Sequence, residues 1–255
     1  MKLISNKNRL LFLKISTLLM FLCVSYYYYP HKIEFLGHKN KTWAHQCNST
    51  IKLNGALNYF KGVELDLIYD SELNSFDVSH YNSESTGLNF TTYLDSLNYD
   101  FKPNMWLDIK NLNERNASLI FQKLTSILLA KEFKYENIII ETRYPEALPI
   151  FTNNGFLTSY YLPYRLYKKD NDELKVVITN IKKVLAEQPN IAISTSHKNY
   201  EIVNYFFPKK TKYIWALVYP INFDFFIINK LLNDEKVKVV LVNYNFSNLI
   251  NYLVK

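Results

Sequence analysis

Two rhythms of apolar and polar positions alternate along this chain. Short apolar-rich runs, bounded by turn formers, recur at residues 43–47, 63–69, 106–110, 137–143, 156–162, 191–196, 213–219 and 237–244. Between them lie stretches with apolar positions three and four apart, roughly 50–60, 114–133, 145–153, 172–187, 200–207, 223–233 and 247–254. The first set is of strand length and the second of helix length, so the pattern predicts eight strands with intervening helices. Asn113 is placed to cap the second helix and Gly155 to follow the third. The expectation is an α/β fold, a (β/α)8 TIM barrel, in one domain over residues 41–255. Residues 80–103 replace an ordinary helical crossover and are expected over the barrel mouth.

The second strand carries a further signal. In GVELDLIYDSELNSFDVSHY, residues 63–69 and 76–80 alternate apolar and polar positions around the turn formers Asp70, Ser71, Asn74 and Ser75. Pairing Asp70 with Ser75 sets His80 opposite Leu65. Glu64 and Asp66 share one strand face, so the imidazole comes within reach of both.

The N-terminus reads separately. Residues 15–29 are uncharged but reach only about 22 Å as a helix, whereas 20 residues from Leu10 cross a core of about 30 Å if Lys14 snorkels. Basic residues ahead of this segment hold that end in the cytoplasm, and Tyr26 to Tyr29 form an aromatic belt on the far side. Residues 1–30 are therefore expected as a signal anchor, residues 31–40 as a linker, and the domain as non-cytoplasmic, near enough to the bilayer for a lipid head group to reach it. The alternative is a cleaved signal peptide and a secreted domain, with Cys23 and Ser25 small enough for cleavage. The bulky tyrosines directly after that point favour the retained anchor.

Charge and cysteines narrow the picture. The net charge is +7, but Lys2, Lys7, Arg9 and Lys14 supply four of those charges, and the surplus left in the domain is too small and dispersed to argue for nucleic acid. Only Cys23 and Cys47 exist, so no disulfide can form within the folded domain.

The candidate chemistry is acidic. Charged residues are costly in an apolar strand unless coordinated or paired, and Glu64 and Asp66 sit in one. WAHQCNS places His45 and Asn48 at the end of another strand, and MWLDIKN places Asp108 and Lys110 on one face of a third. Polar residues at strand ends converge on one mouth of a parallel barrel. That makes Glu64, Asp66 and Asp108 three hard oxygen ligands, with His45, His80 and Lys110 around them, a set suited to Mg2+ or Ca2+ rather than Zn2+.

In order and spacing, WAHQCNS, GVELDLIYD, SHY and WLDIKN resemble the glycerophosphodiester phosphodiesterase superfamily of phospholipase-C-like phosphodiesterases. The Ala-His-x-x-Asn and Leu-Asp-x-Lys-Asn variants look closer to its sphingomyelinase D-like and menorin-like branches. The resemblance covers about residues 41–111. It implies a metal-dependent phosphodiesterase acting on a glycerophosphodiester or a phospholipid head group. It makes His45 and His80 the catalytic acid/base pair, Glu64, Asp66 and Asp108 the ligands of one divalent cation, and Lys110 and Asn48 phosphate contacts. One departure matters: Gln46 and Cys47 stand where common members carry arginine and glycine, which removes a bidentate phosphate contact.

Other residues are weaker candidates. Arg143 is placed to supply the cation missing at Gln46, or to form a rim ion pair with Glu141. His197 reads as a solvated loop histidine, Trp215 as core, and Tyr219 with Trp215 as an alternative aromatic wall. The cluster Tyr160, Tyr161, Tyr164 and Tyr167 is either an interfacial surface or a compositional bias. Two rival functions remain: a catalytically idle, membrane-anchored binding or scaffolding barrel, and a metal-free polysaccharide enzyme using paired carboxylates.

Overall fold

Eight strands run parallel and close into a ring. In the computed structural model, which describes residues 6–29, 32–81, 84–97, 102–217 and 224–245, they are β1 (Thr42–Ala44), β2 (Gly62–Asp70), β4 (Asn104–Ile109), β5 (Ile138–Thr142), β6 (Leu157–Tyr161), β7 (Ala192–Ser196), β8 (Lys212–Trp215) and β9 (Val237–Val242). β1 pairs with both β9 and β2, which shuts the barrel. The extra strand β3 (Ser75–Asp77) folds back on β2 with Asp70 opposite Ser75, the register expected from the turn formers. That pairing stops at Ile68 and Asp77. The expected pairing of His80 with Leu65 does not form, because the Val78 amide donates to the Leu88 carbonyl and Asp77 bridges Asn89.

Helices follow the strands: α2 (Thr50–Leu57), α3 (Phe90–Asp95), α4 (Ala117–Ala130), α5 (Pro149–Thr152), α6 (Asn171–Glu187), α7 (Tyr200–Phe206) and α8 (Phe225–Asn233). Their starts are locally encoded: Ser49 caps α2, and Asp170 accepts from the Asp172 and Glu173 amides ahead of α6. Asn116, not Asn113, precedes α4, since Asn113 is spent on a turn to the Arg115 amide. Gly155, at φ +89°, ends the α5 turn as a glycine can. The helix expected at 247–254 lies outside the described residues. Of the segment expected over the mouth, His80 and Tyr81 do line the opening, while α3 packs as a crossover: Phe90 and Tyr93 are fully buried, and the Tyr93 hydroxyl donates to the Cys47 carbonyl.

Alternation along the strands sorts the core into two. Val63, Leu65 and Leu67 face the helices, while Trp43, Trp106, Ile139, Tyr213 and Leu241 form a separate cluster. Trp106 and Tyr213 stand on β4 and β8, which are not neighbours, yet their ring centroids are 5.5 Å apart. Their contact therefore runs through the barrel interior. These aromatic side chains plug the lower end, and the charged positions of the same strands lie above them.

The chain ahead of the barrel is α1 (Asn6–Tyr28). Its apolar window Asn8–Tyr28 has 21 residues, about 31 Å of helix, long enough either to cross a bilayer or to serve as a signal sequence. Residues 32–41, expected as a linker, are packed: Ile33–Phe35 form a 3-10 turn, Lys32, Glu34 and Phe35 are buried, and the Lys41 ammonium donates to the Leu232 and Asp234 carbonyls.

The floor has little slack at Gly62, where a Cβ would lie 2.4 Å from the Trp43 ring. Gly62→Ala is expected to destabilise the protein by about 1–3 kcal/mol, measured as a lower urea midpoint with an unchanged m-value.

Candidate active site

The inward positions of β2, β4 and β5 change from apolar to acidic on passing up the barrel. Asp66 is registered beside Asp108, and Asp108 beside Glu141, while Glu64 sits one layer lower beside Trp106. Carboxylate oxygens of Glu64, Asp66 and Asp108 all lie within 4.8 Å of one another. They open into a cavity of about 620 Å³, also lined by His45, His80, Lys110, Glu141, Arg143, Tyr161 and Trp215. Six of the seven site residues expected from sequence thus share one mouth.

The seventh, Asn48, plays a different part. Its Nδ2 donates to Asp66 Oδ2 at 2.7 Å and its Oδ1 accepts from the Asp66 amide at 2.9 Å. With both ends engaged on Asp66, Asn48 orients a carboxylate and does not line the cavity. β1 ends at Ala44, short of the expected residue 47, because Gln46 takes a left-handed φ of +51°. That turn aims the Gln46 amide at Glu64 Oε2, 2.7 Å away, and brings His45 Nε2 to 3.7 Å from the same oxygen.

Charge balance is set locally. Lys110 contacts Asp66 Oδ1 at 2.5 Å and also binds Asp108 Oδ2. Burial works against its ammonium, but Asp108 and Asp66 outweigh this and hold its pKa above the ordinary value. Burial, then Asp66 and Asp108, push Glu64 well above the carboxylate range, and burial raises Asp108 despite Lys110. His45 is driven down to about 3, first by burial and then by the Lys52 ammonium, whose Nζ donates to the His45 carbonyl at 2.9 Å. The imidazole is therefore neutral at neutral pH.

The far wall departs from expectation. Arg143 forms no rim ion pair with Glu141; its guanidinium lies 4.5 Å from the Tyr161 ring, which stacks on Trp215 at 4.8 Å. Trp215 packs on the inner cluster and also faces the cavity. Tyr219 lies outside the described residues. His197 is not a solvated loop residue: it is 4% exposed, with Nε2 3.0 Å from Asp224 Oδ2 and Nδ1 3.3 Å from the Trp215 carbonyl. Glu141 accepts from Trp106 Nε1 at 3.0 Å and from the Ser194 hydroxyl. Sequence reading missed Trp106 and Ser194 in this role, although both have the strand parity of the acids.

A glycerophosphodiester phosphodiesterase from Parabacteroides distasonis superposes with a TM-score of 0.56 at 12% identity, over 84% of this chain and 98% of that one. One from Thermotoga maritima gives 0.54 at 14% identity, over 83% and 97%. A phosphodiesterase from Oleispira antarctica, in complex with the product sn-glycerol-3-phosphate, gives 0.52 at 11% identity, over 84% and 97%. The chain has the fold of the glycerophosphodiester phosphodiesterases. No protein-family model matches its sequence, and no curated protein is significantly similar to it.

Within this glycerophosphodiester phosphodiesterase fold, Glu141 has a testable electrostatic signature. Burial, then Asp108, push its carboxyl up to about 8 from 4.5. A raised folded-state pKa gives stability that is complete below the unfolded value and lost as pH rises through the folded one. Glu141→Gln keeps the shape of the protonated acid without this dependence. Its melting temperature relative to wild type is expected to climb between pH 5 and pH 8 and to level off above that in thermal melts without added metal; a constant difference would contradict the assignment.

Proposed function

We propose that this protein is a metal-dependent phosphodiesterase that cleaves a glycerophosphodiester or a phospholipid head-group phosphodiester by two-histidine acid/base catalysis. The observation that carries this reading is the convergence of Glu64, Asp66 and Asp108 within 4.8 Å beneath His45 and His80 in one cavity. The donor set suits a divalent cation: three carboxylates, no thiolate, and mutual repulsion that a second positive charge beside Lys110 relieves. Bound there, Mg2+ or Ca2+ supplies charge neutralisation for the phosphate oxygens.

The chain's own residues do the rest. Neutral His45 accepts the proton of the attacking oxygen, and His80 returns one to the departing alcohol. The attacking group is water, or a substrate hydroxyl beside the phosphate, in which case a cyclic phosphate forms first. Lys110 contacts the phosphate from below, and Arg143 offers its guanidinium from the opposite wall in place of the missing residue at Gln46. Asn48 fixes the carboxylate plane of Asp66. The stacked Tyr161 and Trp215 pack against the alcohol moiety. Retained as an anchor, α1 places the domain on the non-cytoplasmic side of a membrane.

A second reading, an idle binding domain, draws on Lys110, which already satisfies Asp66 and Asp108 as their counter-ion. Titration calorimetry with Mg2+ and Ca2+ separates the two, since the idle barrel takes up neither.

Assayed on a panel of glycerophosphodiesters and lysophospholipids, the protein is expected to lose turnover with a chelator and regain it with one of the two cations. His45→Ala and His80→Ala should each lower kcat by about 10²- to 10⁴-fold with an unchanged melting temperature. Glu64→Gln should raise the metal concentration required, and Arg143→Ala should act mainly on KM. Wild-type turnover in either histidine variant would remove the proposed mechanism.

A further inference from the structure

The attachment point of α1 fixes which way the cavity faces. All strands of a parallel barrel run in one direction, so segments that precede strands lie at one end and segments that follow them at the other. His45, Lys110 and Arg143 directly follow β1, β4 and β5, and they line the cavity. α1 arrives at the opposite end, because it leads through residues 32–41 into the start of β1. That junction is held: the Tyr26 hydroxyl donates to the Glu34 carboxylate, and the Lys32 ammonium lies 6.0 Å from the centre of the Tyr27 ring. The Lys41 ammonium donates to the Leu232 and Asp234 carbonyls at 2.8 and 2.9 Å, just ahead of β9. The apolar window of α1 has none of its residues buried in the protein, so the helix does not fold back along the barrel wall toward the mouth. Between Gly62 at the lower end and Asp66 at the site, β2 rises about 13 Å.

We infer that the cavity opens away from the membrane that α1 enters, and that its phosphodiester substrate is carried by a molecule outside that bilayer, in solution or on a facing surface. The statement rests on the phosphodiesterase reading above and on retention of α1. A phospholipid of the same bilayer would have to rise past the whole barrel and draw its acyl chains into water, which the hydrophobic effect opposes. The nearness to the bilayer expected from the short segment after α1 therefore does not bring that bilayer's head groups to the site.

Full-length protein is reconstituted in phosphatidylcholine vesicles and tested in two ways. In a Cys23→Ser background, a fluorophore is attached at Asn40→Cys or Lys61→Cys near the strand starts, and at Glu114→Cys near the mouth, with a lipid-borne acceptor in the vesicle. Both lower positions are expected to be quenched severalfold more than the upper one; equal or reversed quenching, or release of the chain by an alkaline carbonate wash, would overturn the proposal. In the second test, a phosphodiester is offered as soluble glycerophosphocholine, as phospholipid in the same vesicle, or as phospholipid in separate vesicles. Turnover is expected on the soluble diester or in proportion to added vesicles, with the same-vesicle lipid consumed no faster than the separate one. Consumption of same-vesicle lipid at a rate independent of vesicle concentration would overturn it. Absence of turnover on every diester would remove the phosphodiesterase reading and the substrate statement with it, while the quenching contrast would still report the orientation.

Discussion

Four carboxylates held inside one barrel mouth repel, and the rest of the site is arranged around that repulsion. Two unit charges 4.8 Å apart cost about 3 kcal/mol at an effective dielectric of 20, and burial adds to this. Lys110 offsets part of it by standing between Asp66 and Asp108. Glu141 avoids the remainder by holding a proton near neutral pH, with Trp106 and Ser194 as its partners. Glu64 receives the Gln46 amide, and Asp66 receives both ends of Asn48. A packed scaffold with no further role would have no reason to gather these groups, which is why the cluster argues for cation chemistry more strongly than any one residue does.

The aromatic floor makes the cluster possible. Trp43, Trp106 and Tyr213 fill the lower barrel, so the acids stand on a rigid apolar layer and not over a water-filled channel. The same layer reaches upward chemically, since the indole of Trp106 donates to Glu141. Stability and site geometry thus share residues, and a change in the floor is felt at the acids.

Much of this was legible in the sequence because the signals are local. Strand parity alone put Glu64 with Asp66 and Asp108 with Lys110, and the turn formers between Asp70 and Ser75 set the hairpin register that the structure adopts. What was not legible depends on distant partners. His197 looks like a loop residue until Asp224, 27 residues on, comes to its imidazole. Tyr161 and Trp215 meet only because β6 and β8 lean their side chains into the same opening. Asn48 resembles a phosphate ligand until its pairing with Asp66, 18 residues away, is visible. The strand break at Gln46 is a backbone choice that the side-chain pattern does not encode. Residues 32–41 read as a tether since Phe35 and Lys41 find their contacts only in the folded barrel.

The plugged lower end also decides how traffic moves. With Trp106 fully buried and Trp43 and Tyr213 nearly so, the cavity is a well closed at its lower end among the described residues. On the proposed phosphodiesterase reading, whatever enters the well and whatever leaves it pass the same wall of Arg143, Tyr161 and Trp215.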